Sequence, residues 1–173
     1  MPAISKSDFL RYDITNLAYR IRHEGRAAII GVGGGRDILA ARHFGFQDVT
    51  AVELNPIIIN LLTTTPPYKD FANLAQDPAI HLHVDDGRSW FARTTEKFDL
   101  LQMSMIDTFA ATGAGGFTLS ENGLYTMEGW ARFFNALAPN GVLTVSRWYA
   151  PGALNETGRV VSLAMATLFN AGI

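Results

Sequence analysis

The sequence predicts an α/β sandwich built around a mainly parallel sheet, and three observations lead there. Five short apolar runs recur at 26–31, 48–52, 80–84, 98–103 and 141–146, separated by segments with helical spacing. The first, fourth and fifth runs are nearly continuous in apolar character, as strands covered on both faces require. Glycines or polar residues follow these runs. Right-handed crossovers would gather Gly31 to Gly35, Glu53, Asp86 and Ser104 at one sheet edge, which is where open α/β sheets bind ligands.

Each element has a local reason. Thr15 to Gly25 reads as a short helix with Thr15 as cap and Gly25 as stop. After the first strand, 37–44 reads as a helix closed by Gly45. The second strand brings Glu53 to its end. Asn55-Pro56 then starts a helix: Asn55 caps, and Pro56 lacks only an N–H that the first turn leaves unbonded. The prolines in TTTPPYKD, 63–70, stop a regular helix, and a short helical piece is expected at 71–75. Ile80, Leu82 and Val84 alternate along the third strand, with His81 and His83 on its other face. Asp85-Asp86-Gly87 closes it, and 89–94 reads as a helix. A glycine-rich loop spans 108–123. Thr126 caps a helix whose apolar face is Trp130, Phe133, Phe134 and Leu137. Asn140-Gly141 reads as a turn before the fifth strand, and 158–170 as the last helix.

Composition narrows the function. The chain has 173 residues, a normal size for one core, and 48% of them are hydrophobic. Its 14 basic and 16 acidic residues give a net charge of -2, and without a basic run there is no electrostatic footprint for nucleic acid. No apolar run reaches the length of a membrane span, and the first residues lack the apolar core of a signal peptide. The absence of cysteine removes disulfides and thiolate sites and fits a cytoplasmic location. His81 and His83 alternate on a strand without a third ligand nearby, so polar packing is expected there and no metal site.

The stretch AIIGVGGGRDILA, 28–40, narrows it further. A nicotinamide fingerprint would place its third glycine at position 36, where Arg36 stands, and no G-K-[ST] follows for a triphosphate loop. Glu53 lies about twenty residues on, where an acid accepts both hydroxyls of an adenosine ribose. Asp85 and Asp86, after the third strand, offer a carboxylate to an adenine amino group. Together these describe an adenosine pocket without a pyrophosphate. Glycines there let the tail of a sulfonium ligand lie against the backbone.

At these residues the chain resembles the spermidine synthase-like branch of the class I S-adenosylmethionine-dependent methyltransferase fold. The matching pieces are IIGVGGGRD, VTAVELNP, HVDDGRSW, FDLLQMSMIDT and LAPNGVLTVSRW, spanning about 27–148. The resemblance implies a Rossmann-like sandwich with seven strands, the last antiparallel. Only five strands fit here, so the final strand pair is expected to be lacking. Residues 1–26 would be a lead-in and 27–173 a C-terminally short methyltransferase-like domain. The ligand implied is S-adenosylmethionine or its decarboxylated form. Gly31, Gly33 and Gly35, with Gly34 between them, would line the tail, Glu53 would hold the ribose, and Asp86 with Gly87 would lie near the adenine. Asp85 is either a further contact or a surface carboxylate.

The chain also departs from that pattern. Aminopropyltransferases of this branch carry an acid directly after the glycine triplet; here that position is Arg36, with Asp37 one step later. Asp37 is read chiefly as a helix N-terminal acid favoured by the dipole, with an amine contact as a secondary role. The family base falls on Ser104, an uncharged hydroxyl and a poor base near neutral pH. The second family acid falls on Asp107, which would act alone as base or else fix the loop. Glu121 and Tyr125, in the stretch 111–126 that has the composition of a lid, are acceptor-contact candidates; Trp148 is read as core or rim. Three functions remain open: aminopropyl transfer to a small-molecule amine such as a polyamine, methyl transfer to another acceptor, and a degenerate domain of a larger protein. An exposed sheet edge would encourage a homodimer.

Overall fold

The computed structural model describes residues 4–106, 123–147, 149, 151–152 and 156–173. Five parallel strands form one sheet: β1 (Arg26–Ile30), β2 (Asp48–Glu53), β3 (Ile80–Val84), β4 (Phe98–Ser104) and β5 (Leu137–Ser146), in the order β3-β2-β1-β4-β5. The α-helices are α1 (Arg36–His43), α2 (Pro56–Thr63), α3 (Tyr68–Ala72), α4 (Gly87–Arg93), α5 (Met127–Asn135) and α6 (Glu156–Asn170). Three 3₁₀ segments, Ile4–Tyr12, Ile14–Arg20 and Leu74–Gln76, complete the described elements.

The strand alternation builds two cores. Ala27 and Ile29 of β1, with Val49, Ala51 and Leu100, face α1, α2 and the N-terminal 3₁₀ segments, where Leu10, Tyr19, Ile38, Phe46 and Leu62 pack. Ala28 and Ile30, with Phe98, Leu101 and Met103, face α4 and α5 through Phe91, Trp130 and Phe133. Successive side chains point to opposite faces, so a central strand buried on both sides must be apolar throughout. Burying each of the valine, leucine, isoleucine, methionine and phenylalanine side chains among these contributes about 1.5–3 kcal/mol.

The caps follow local chemistry. Asn55 accepts from the Ile57 N–H and starts α2 with Pro56 behind it. Asp86 accepts from the Ser89 N–H, and Thr126 from the Gly129 N–H. Three expectations are corrected. Asp13, not Thr15, caps the second 3₁₀ segment, because its carboxylate takes both the backbone N–H and the hydroxyl of Thr15. The helical piece after the prolines begins at Tyr68, since Pro67 can stand just ahead of a helix although it cannot sit inside one. Leu137 leaves the α5 face and opens β5 opposite Phe98, with a register irregularity between Phe98 and Leu100. That irregularity takes Asn140-Gly141 within the span of β5, with Asn140 at φ 63°.

Strand order positions everything that follows. From β1 the chain runs outward to β2 and β3, then returns to β4 on the other side of β1. The switch point therefore lies between the carboxyl ends of β1 and β4, with the end of β2 alongside. Register pairs Ile30 with both Val52 and Met103, so the segments that leave these strands open at one level.

Candidate functional site

A cavity of about 450 Å³ occupies this switch point. Its apolar lining includes Ile30, Val52, Leu54, Ile58, Ile106 and Leu124. Its polar lining includes Arg36, Asp37, Glu53, Asn55, Asp86 and Ser104. An apolar floor with a few convergent polar groups is the usual form of a small-molecule site.

The glycines divide into two kinds. Gly31 has φ +83°, and a Cβ there would come 2.6 Å from Ile106 Cγ2, so backbone and packing both call for glycine. Gly34 has no such need: its φ is outside the left-handed region and a Cβ would meet nothing within 4 Å. Gly33 also faces open space, but its φ of +49° is left-handed and favours glycine by itself. Both line the cavity. Gly35 does not; it is buried, sits ahead of α1 at φ 80°, and its N–H donates to the Val32 carbonyl at 2.8 Å.

Glu53 is buried and ties the glycine turn to β2. Its Oε2 accepts from the N–H of Val32 at 2.9 Å and of Gly33 at 3.3 Å; its Oε1 accepts from the Asn55 N–H at 2.9 Å. A carboxylate has about four acceptor positions. Oε1, with one bond against two at Oε2, retains one for a hydroxyl. Asp86 and Gly87 line the cavity beyond it, and Gly87 fits between Ile30 and Leu124. Asp85 is not in that lining: its Oδ1 accepts from the Asp86 N–H and its Oδ2 pairs with Arg93.

On the β4 side a buried polar chain reaches the cavity. Tyr19 donates its hydroxyl hydrogen to Gln102 Oε1, Gln102 Nε2 donates to Ser104 Oγ at 2.7 Å, and Ser104 donates to the Asp37 carboxylate. Burial raises the Asp37 carboxyl above the ordinary range, opposed by the Ser104 bond and by Arg36. Burial and the charge of Asp37 push the Tyr19 hydroxyl well up as well, so it remains a donor. Ser104 is thus engaged in holding Asp37, and Asp37 is a buried cavity carboxylate rather than only a solvated helix-start acid. Arg36 lies beside it at 3.4 Å and is held from the other side by Asp13 at 2.7 Å.

Asp107, Glu121 and Trp148 lie outside the described residues. The Arg147 guanidinium carbon lies over the Tyr125 ring, 4.9 Å from its centroid. His83 packs on Trp90, and His81 lies 3.7 Å from Asp48. Sequence reasoning missed Asp13, Tyr19 and Gln102. A lone amide among apolar residues in β4 was the available signal, because a buried amide requires partners.

Comparison with known proteins defines the class first. No family model matches the chain. Among solved structures, spermidine synthase from Thermotoga maritima superposes with a TM-score of 0.64 at 18% identity, covering 95% of this chain and 52% of that one. Human methyltransferase-like protein 13, in complex with SAH, gives 0.59 at 17% identity, covering 93% and 71%. The chain therefore has the Rossmann-like class I methyltransferase fold.

Sequence likeness places it within that class. A polyamine aminopropyltransferase of Mycobacterium tuberculosis is 31% identical over 137 residues, 75% of this chain and 24% of the relative. One from Alkaliphilus oremlandii is 26% identical over 147 residues, 83% and 48% respectively. The chain is similar in sequence to the spermidine synthase-like branch of the fold, and it spans from about a quarter to a half of the length of these relatives. Among the described residues, no helix is long and apolar enough to cross a membrane.

Proposed function

We propose that the cavity binds an adenosyl sulfonium and presents it to a nucleophile, making this chain a transferase domain. One observation carries the reading: Gly34 leaves open space that neither packing nor backbone angle requires, on the cavity wall shared with Gly33 and Glu53. The tail of the ligand lies against the two glycines. A ribose hydroxyl donates to Glu53 Oε1, and the adenine rests on Leu54, Ile58 and Leu124 near Asp86. The names of the relatives and the ligand named with the human neighbour support the same class of ligand.

In the reaction the nucleophile's lone pair forms a bond to a carbon attached to sulfur. The carbon–sulfur bond breaks, and its electron pair neutralises the sulfonium. The protein's contribution is alignment and exclusion of water. An amine nucleophile must also lose a proton. Asp107 is the proposed base, with Ser104 at the position of the family base holding Asp37 in place. Aminopropyl transfer to a small amine is the form that the relatives' names support. Methyl transfer is the second reading, favoured by a cation, Arg36, directly after the glycine triplet.

The test is Gly34→Ala. The added methyl enters open space at an ordinary backbone angle, so stability should hold or rise by about 0.4–1 kcal/mol. Affinity for S-adenosylhomocysteine, read by calorimetry, should fall at least tenfold. Unchanged affinity would remove the glycines from the ligand wall.

A further inference from the structure

Arg36 and Asp37 stand together in the first turn of α1, and both line the cavity beside Gly33 and Gly34. Asp37 is 6% exposed and oriented by Ser104. The Arg36 guanidinium is fixed by Asp13 Oδ2 at 2.7 Å, Thr15 Oγ1 at 3.2 Å and Asp37 Oδ1 at 3.4 Å. A guanidinium has five N–H donors, so these bonds leave two. The N-terminal segment thus holds a long, flexible cation in one place, next to a buried anion, where the two open glycines make room.

Resting on the adenosyl-sulfonium reading above, and on its methyl-transfer form rather than aminopropyl transfer, we infer that Arg36 and Asp37 make this site selective for a ligand whose tail is a zwitterionic α-amino acid, over the decarboxylated, purely cationic tail. The two tails differ by one carboxylate. A zwitterionic tail offers that carboxylate to the free N–H groups of Arg36 and its ammonium to Asp37, and both are charge-assisted hydrogen bonds. The decarboxylated tail sets its ammonium beside a guanidinium and gives Arg36 no anion. Glu53 and Asp86 lie at the ends of β2 and β3, where the reading above places the nucleoside that both ligands share. Asp13 is not in the cavity lining; it orients Arg36 from behind. Arg36 is then the specificity-determining residue of the site, and lysine would be an imperfect substitute because it lacks the planar fork.

The experiment is calorimetric titration of the whole chain with S-adenosylmethionine, with its decarboxylated form, and with 5′-methylthioadenosine, which has no charged tail. The expected result is at least tenfold tighter binding of the carboxylated ligand than of the decarboxylated one. Arg36→Gln should weaken the carboxylated ligand about tenfold while leaving 5′-methylthioadenosine unchanged and the decarboxylated ligand no weaker. Equal or tighter binding of the decarboxylated ligand by the unmodified chain overturns the inference, as does an unchanged ratio in Arg36→Gln. If 5′-methylthioadenosine binds, such a failure belongs to the tail inference alone. If it does not bind, the adenosyl reading falls and the inference with it.

Discussion

Glu53 and Asp37 occupy the same cavity but answer to different surroundings. Glu53 is surrounded by backbone N–H groups, whereas Asp37 has Ser104 and Arg36 against its own burial. Asp37, with its carboxyl raised on folding, favours the native state only while protonated. That contribution is complete below the carboxylate's unfolded range and is lost as pH rises through its raised native value. Asp37→Asn keeps an acceptor for Ser104 and removes this penalty. Its stability relative to the unmodified chain should therefore increase with pH across that window, as read by urea unfolding at several pH values; a difference that falls with pH would contradict the assignment. Tyr19→Phe should cost about 1–3 kcal/mol, since it leaves the buried Gln102 carbonyl oxygen without its donor, and the same urea midpoints report it. At this scale the placement of Glu53, Asp86, Gly33 and Gly34 around one cavity was legible, because each lies at or just past the carboxyl end of a strand. Tyr19 and Gln102 lie 83 residues apart in sequence, and only the fold brings them together.

The elements were most legible where a single residue decides a terminus. Asn55-Pro56 and Thr126 cap as their chemistry requires. The reading failed at Leu137, whose helical spacing continued the α5 stripe while pairing with Phe98 claimed it for β5. Periodicity cannot see a strand partner. It also read Gly25 only as a helix stop. Gly25 has φ +99°, and a Cβ would lie 2.0 Å from Asp99 Oδ2, the carboxylate that accepts from the Arg26 N–H at 2.9 Å and starts β1. Gly25→Ala should destabilise the fold by about 2–4 kcal/mol through positive-φ strain and the displaced carboxylate. A shift in denaturant midpoint within experimental scatter would show that Asp99 moves freely.

For the whole molecule, strand order turns scattered motifs into one site. The sequence supplied five strands and their ends; the return to β4 beside β1 creates the crevice. The fold also carries an acid sensitivity. Burial works against the charge of Asp99, but hydrogen bonds from the Arg26 N–H and Arg22, with the Arg22 charge, outweigh it and hold its carboxyl below the usual range. At Asp13, burial is likewise outweighed by Thr15 and Arg36. These acids stabilise the fold above the unfolded carboxylate range, and the contribution fades as pH falls through their lowered native values. Asp99→Asn should accordingly flatten the loss of stability on acidification, measured by thermal unfolding over a pH series.

The transferase reading requires an adenosyl ligand in the switch-point cavity. Amide NMR of the isotope-labelled chain, titrated with 5′-methylthioadenosine, tests it most directly. Occupancy predicts saturable shifts concentrated at the N–H signals of Gly33, Gly34, Asn55 and Gly87. Shifts centred elsewhere, or none in folded protein at millimolar ligand, would contradict it.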